Sequence, residues 1–430
     1  MRRRSSALIR LAGLAPVLLS LWVLAFAPSP ASSADWPQFR GPTGQGTSPE
    51  TSLPVEWGPD KNIAWKIPLP GPGGSSPAVF GDRIYLTCYR GYNEPGNRGE
   101  MSDLERLLLA IDRKTGNVLW TTPTRARLPE QESIRDEHGY ATSTPAVDRD
   151  GIVVFYGKGG VHAFTHDGKP QWDADVGTGL NGWGSAASPV IHGDLVLINA
   201  SVESETLFAL DRKSGKVRWK ADGIRESWNT PVIVKSDTGR EELIVAIFGK
   251  VLAFDPATGK PLWNCDTDIG WYMVPSVVAE KGVVYCIGGR SGGSLAIRAG
   301  GSGDVTRSHR LWVGKKGSNV SSPVFLDGRL YFAHEQLGIA HCADARTGEI
   351  LYEERLPRGG QIYPSTVLGD GKVYFTSRTG KTFVVAAGPE FKLLATNELG
   401  DRSLFHASPA IADGHLYIRS DRMLYSIGRP

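Results

Sequence analysis

The stretch AFDPATGKPLW at residues 253–263 decides how this chain is read. A strand ending in Ala-Phe-Asp turns through Ala-Thr-Gly and returns as a second strand closed by Trp263. The turn has a mechanism: Asp accepts hydrogen bonds from backbone amides two residues on, Thr does so more weakly, and Gly supplies a positive φ. The phrase recurs as AIDRKTGNVLW at 110–120 and ALDRKSGKVRW at 209–219. Looser versions are AFTHDGKPQW ending at Trp172, a stretched copy ending at Trp312, and ADARTGEILY with Tyr352 at the Trp position. In FVVAAGPEFKLL, at 383–394, the Trp is lost. One copy predicts a hairpin; several predict repeated modules whose Trp offers an apolar face where neighbours stack.

Each module opens with a small residue beside Pro and then a short strand. The prolines are Pro77, Pro145, Pro189, Pro231, Pro275, Pro323, Pro364 and Pro409, and successive ones are 68, 44, 42, 44, 48, 41 and 45 residues apart. That period suits four short strands with their turns, and the long first interval reflects an insertion at 89–104 rich in Gly, Asn and charge. With 52 Gly and 28 Pro between short alternating apolar runs, the chain reads as all-β. The eighth module supplies only three strands before Pro430, whereas NIAWKIPL at 62–69 resembles an outer strand with Trp65 at the docking position. An N-terminal strand that completes the last blade closes a ring, and closure leaves no unpaired terminal blade. The expected fold is an eight-bladed β-propeller over 63–430, preceded by a segment at 35–62 that packs on it.

Residues 1–34 read as a secretory signal: Arg2, Arg3, Arg4 and Arg10 precede an apolar core, and Ser32-Ser33-Ala34 makes a small-residue cleavage site. The alternative is a retained anchor, for which the apolar run is short. No Cys follows the core, and no second apolar run is long enough to span a bilayer. The expected protein is exported to the periplasm or outside the cell, without a transmembrane span once processed, and monomeric. A net charge of +3, from 48 basic and 45 acidic residues, gives no global electrostatic case for nucleic acid. Cys88, Cys265, Cys286 and Cys342 are scattered without CxxC or Cys/His metal spacing, so they read as small buried apolar residues; no metal site is assigned.

In a closed propeller, the loops leading into first strands and the loops joining second to third strands emerge on one face around the channel. The former carry His138, Trp183, Trp228, Trp271, Asn319 and His406; the latter carry Arg90, Arg290 and Arg378. Together they would form a mouth able to stack a flat ring or a sugar and to pair with carboxylates. The alternative is that these bulky residues fill the channel and the charges are solvated rim. No nucleophile elbow is present, each DxxTG turn offers a single Asp rather than a calcium loop, and the Gly-rich IGGRSGGS at 287–294 reads as a hairpin loop.

The repeated AxDxxTGxxxW phrase, with its Pro-marked first strands and N-terminal strand closure, resembles the pyrroloquinoline quinone (PQQ) repeat, or quinoprotein-like, propeller family. The resemblance covers 63–430, and WPQFRGP at 36–42 is similar to exported PQQ-binding-like propellers. It implies either a binding module for a protein segment, a glycan or a small anion, or a PQQ- and calcium-dependent alcohol or sugar dehydrogenase. Under the second reading a Trp would floor the quinone, Arg90, Arg290 or Arg378 would meet its carboxylates, and Glu335 or Asn319 would help to hold calcium. The vicinal Cys pair, the Asp base with convincing neighbours and a CxxCH haem site of such enzymes have no counterpart in the sequence, so the binding module is the preferred expectation.

Overall fold

A computed structural model describes residues 35–134, 138–290 and 292–429; the expected signal segment lies outside them. The described residues form eight blades, each built on four antiparallel strands; two of these sheets gain a fifth, parallel strand, and a two-stranded hairpin, Tyr92–Glu94 with Asn97–Gly99, lies in the blade 1 insertion. Blade 4 is representative, with Val232–Lys235 innermost, then Glu241–Ile247, Lys250–Phe254 and Pro261–Asp266. Middle strands such as Leu195–Ala200 are buried along their whole length because sheets cover both of their faces, whereas outer strands such as Val118–Arg125 alternate. Each blade therefore shares its apolar side chains with its neighbours.

Blade 8 contains Ala410–Ala412, His415–Arg419 and Met423–Ile427, and its outer strand is Ile63–Pro68. Trp65 lies opposite Ser426 and Ile67 opposite Leu424, and the Gly428 amide donates to the Asn62 carbonyl at 3.0 Å. The ring is closed by its amino end.

The repeated phrase acts at two levels. Within a turn, Asp112 Oδ1 accepts from the amides of Lys114 and Thr115, and Asp211 and Asp344 do the same in their blades. Between blades, each Trp docks on the next blade's turn. The Trp65 indole donates to Arg113 O, Trp120 to His166 O, Trp172 to Arg212 O, Trp219 to Pro256 O and Trp312 to Ala345 O, all at 2.9–3.0 Å. The turn glycine lies flat under the ring; at Gly215 a Cβ would fall 2.4 Å from Trp172, and φ is +68°. Trp263 departs from the expected pattern. The stretched blade 5 turn instead adds Gly303–Asp304 as a parallel strand beside Trp263 and Asn264, so the indole turns to Glu242 Oε2 of its own blade at 2.6 Å. Blade 7 has Ala395 at the Trp position, opposite Val384. Blade 8 has no covalent turn to receive a Trp there, because that is where the two ends of the chain meet.

The Pro-marked openings form an annulus around the channel. The backbone amide of Ser76 donates to the hydroxyl of Thr144, Thr144 to Ser188, Ser188 to Thr230, Thr230 to Ser276, Ser276 to Ser322, Ser322 to Ser365, Ser365 to Ser408, and Ser408 back to Ser76, at 2.8–3.1 Å. All eight blades are thus tied at the axis by one closed chain of hydrogen bonds.

Residues 35–62 strap the face that carries the DxxTG turns. Trp36 exchanges backbone hydrogen bonds with Val79 of blade 1, and Pro37 accepts from Val147 of blade 2. Thr47–Ser48 then adds a parallel strand to Val367–Gly369 of blade 7, and Glu50 accepts from the Asp413 and Gly414 amides of blade 8. Phe39 reaches the channel beneath the annulus. No helix among the described residues is long and apolar enough to cross a membrane.

Candidate functional site

The opposite face of the ring carries the mouth. Loops leading into blades 2 to 7 and the second-to-third-strand loops of blades 5 and 6 enclose a cavity of about 400 Å³. Its walls include His138, Trp183, Trp228, Trp271, Arg290 and Asn319, six of the nine candidates from the sequence. Tyr272 is the hub. Its ring centroid lies 5.9 Å from Trp183, 5.5 Å from Trp228 and 5.1 Å from Trp271, all tilted or edge-on geometries favoured by aromatic quadrupoles. His138 meets Trp183 edge-on at 5.8 Å, and the Arg290 guanidinium sits 5.8 Å above Trp271. Trp228 is anchored by its indole N–H, which donates to Gly184 O at 2.8 Å.

The polar groups on this wall are few and specific. Asn319 Nδ2 donates to the Tyr272 hydroxyl at 3.4 Å, and its backbone amide donates to Glu335 Oε2 at 2.9 Å. Asn319 Oδ1 and Trp271 Nε1 are buried without a hydrogen-bond partner. A buried unpaired polar atom costs about 1–3 kcal/mol, which concentrates unspent hydrogen-bonding capacity at this wall.

The other three candidates lie elsewhere. Arg378 stands behind the wall, 4.8 Å from the Tyr363 ring and bonded to Gln361 Oε1 at 2.7 Å. His406 lines a neighbouring cavity between blades 8 and 1. Arg90 is held by Glu105, directly opposite it in blade 1, at 2.8 Å and lines neither cavity. Gln336 and Asp421 line the mouth without having been singled out as its candidates. Gln336 and Asp421 sit in short second-to-third-strand loops with no aromatic signal.

The four cysteines are buried and free. Among the described residues no group of three or more His, Cys, Asp or Glu side chains is placed to hold a metal ion. Calcium takes roughly six to eight oxygen ligands, several from carboxylates. Asn319 and Glu335 offer one amide and one carboxylate, and that carboxylate already accepts the Asn319 amide. Among the described residues, Arg290 is the one arginine that lines the aromatic cavity. These residues do not fit a quinone paired with calcium.

A family model described as outer membrane protein assembly factor BamB matches residues 63–230 and 229–354, more than half of the chain. The chain belongs to the BamB-like family of PQQ-repeat propellers. Among solved structures, BamB from Moraxella catarrhalis is 16% identical, with 85% of this chain and 96% of that one covered and a TM-score of 0.60. Quinohemoprotein alcohol dehydrogenase from Comamonas testosteroni is 13% identical, with 93% and 81% covered and a TM-score of 0.65. Sqt1 from Saccharomyces cerevisiae is 11% identical, with 86% and 99% covered and a TM-score of 0.62. At these identities the likeness is one of fold. Comparison with curated proteins gives no match.

Beside the mouth, this BamB-like propeller buries a carboxyl group. Glu203 is 5% exposed, accepts from the Ser185 hydroxyl, and is pushed up to about 7 by burial. A folded-state value above the unfolded one means that the folded protein binds the proton more tightly. Stability is therefore greatest below the unfolded pKa, falls as pH rises through about 7, and is level above it. Glu203→Gln should abolish this component. The stability of the parent relative to the Gln variant should drop by on the order of 2–3 kcal/mol between pH 4.5 and 8, as read by urea unfolding. A constant difference across that range would show that Glu203 does not titrate there.

Proposed function

We propose that this protein is an exported, monomeric binding module whose aromatic cavity holds a carbohydrate ring. The observation that carries the reading is the wall of Trp183, Trp228, Trp271 and Tyr272 around about 400 Å³, with Asn319 Oδ1 and Trp271 Nε1 left unpaired. A pyranose presents apolar C–H faces to aromatic rings, and its hydroxyls both donate and accept. Cavities of about 300–1,000 Å³ with aromatic walls and a few polar groups are the usual form of small-ligand sites. Two cations, Arg290 above Trp271 and Arg378 above Tyr363, disfavour a cationic ligand.

The test is a screen of immobilised glycans and peptides against the parent, Trp183→Ala and Trp271→Ala. Glycan binding is expected, with an affinity loss of about tenfold for each variant. Trp228 is less suitable, because its indole also supports Gly184. Selective capture of peptides would replace the carbohydrate by a protein segment, and unchanged binding in both variants would move the site away from this cavity.

A further inference from the structure

The aromatic cavity is not alone on the mouth. A second cavity of about 480 Å³ lies where blade 8 meets blade 1, walled by Asn93 and Glu94 from the blade 1 insertion and by Arg402, His406, Asp421 and Arg422. His138 lines both cavities, and both His138 and His406 line the small space of about 90 Å³ in the channel, at the hydroxyl annulus, that joins them. The three spaces form one trough across the mouth.

The two ends of the trough differ in chemistry. At the blade 8 end the walls carry charges of both signs. The Asp421 side chain is 12% exposed, with His406 Nε2 3.9 Å from its carboxylate, and burial pushes its carboxyl up to about 6. An anion near Arg402 and Arg422 would also meet Asp421 and Glu94, and a cation would meet the reverse conflict. A neutral polyol meets neither, because its hydroxyls donate to carboxylates and accept from guanidinium groups.

We propose that the cavity between blades 8 and 1 is a second subsite for the same ligand, so that the protein binds a neutral oligosaccharide with one unit stacked in the aromatic cavity and a later unit held among Arg402, Asp421 and Arg422. This rests on the carbohydrate reading of the aromatic cavity and adds chain length and charge to it. His138, placed edge-on to Trp183 at the junction, is where the chain crosses.

The experiment is calorimetric titration with neutral gluco- and N-acetylglucosamine oligosaccharides of one to six units. It uses the parent, the double variant Arg402→Ala/Arg422→Ala, Asp421→Asn and Trp271→Ala. Both arginines are exposed, so their removal does not threaten the fold, and matched melting curves verify this. In the parent, affinity should rise at least tenfold between the shortest ligand bound and the length that spans both cavities. In the double variant and in Asp421→Asn that rise should shrink to less than threefold, with affinity for the shortest ligand unchanged. Trp271→Ala should weaken every length alike. Affinity independent of length, or a rise that survives both charge variants, would overturn the second subsite while leaving the aromatic one. Binding of no saccharide at all would overturn both.

Discussion

Replacing Ile67 by Pro is expected to unseat the closing strand and to destabilise the whole ring by about 3 kcal/mol or more. In an antiparallel pair, hydrogen-bonded and non-hydrogen-bonded positions alternate. The Leu69 amide donates to Arg422 O at 2.7 Å, so the Ile67 amide, two residues earlier, also faces the Met423–Ile427 strand, opposite Leu424. Proline removes that donor and leaves a carbonyl unpaired beside the fully buried Leu424, a cost of about 1–3 kcal/mol. It also withdraws the Ile67 side chain, which packs with Trp65 against the Gly116 turn and the core shared by blades 7, 8 and 1. Ile67→Val keeps the amide and should cost only about 1 kcal/mol. The readouts are urea unfolding and amide exchange of residues 423–427, which should lose protection in the Pro variant alone. A Pro variant as stable as the parent would mean that the seam does not hold the ring. The cavity between blades 8 and 1 straddles this seam, since Gly73 and Gly74 stand on one side and His406 and Asp421 on the other.

The blades were legible because their signals are local. An Asp that accepts from amides two and three residues on, a glycine at positive φ and a Trp sited by its own strand can all be read from a dozen residues. The meaning of the openings was less visible. Proline marks each module, yet the conserved physical act is the hydroxyl of the annulus, which precedes Pro in six blades and follows it at Ser276 and Ser365. The missing Trp of blade 7 and the altered partner of Trp263 follow from what the next blade presents, and a repeat read by itself does not contain that.

The site divides in the same way. His138, Trp183, Trp228, Trp271, Arg290 and Asn319 converge because loop position within a blade fixes the face on which a residue emerges. Arg90 was misplaced because the 89–104 insertion hides the register that sets Glu105 opposite it. Arg378 lies behind Tyr363, a distinction that depends on side-chain layering. Asp421 gave no signal, since its environment is made by Gly73 across the seam, by Arg419 of its own blade and by burial that no local pattern records.

The second large effect is expected at Arg40, in the strap whose partners are most distant in sequence. Arg40→Met should destabilise the protein by about 3–5 kcal/mol and release the strap from the channel floor, because carbonyls left without this donor cost about 1–3 kcal/mol each. Arg40 is 1% exposed, and its guanidinium is surrounded by carbonyls. Nε donates to Gly44 O at 3.2 Å, Nη2 to Gln45 O at 2.8 Å and to Pro323 O, and Nη1 to Thr366 O at 3.3 Å and Ser322 O at 3.4 Å. Burial lowers its pKa to about 9, so it remains charged at neutral pH. One side chain therefore closes the strap's own loop and ties it to blades 6 and 7. The backbone is shaped to allow this: Gly46, at φ +75°, leaves no room for a Cβ, which would fall 2.7 Å from Arg40 Nη2. Methionine fills much of the same volume but leaves these acceptors unpaired. Lysine has one nitrogen where five carbonyls are spread around a planar fork, so Arg40→Lys should recover less than half of the loss. The measurements are urea unfolding and amide exchange. Leu368 donates to Gly46 O, and Val79 and Val147 donate to Trp36 O and Pro37 O, so all three amides should exchange faster in Arg40→Met than in the parent. If protection at these amides were unchanged while stability fell, Arg40 would act on the blades alone and the strap would be held by Trp36 and by the strand at Thr47–Ser48.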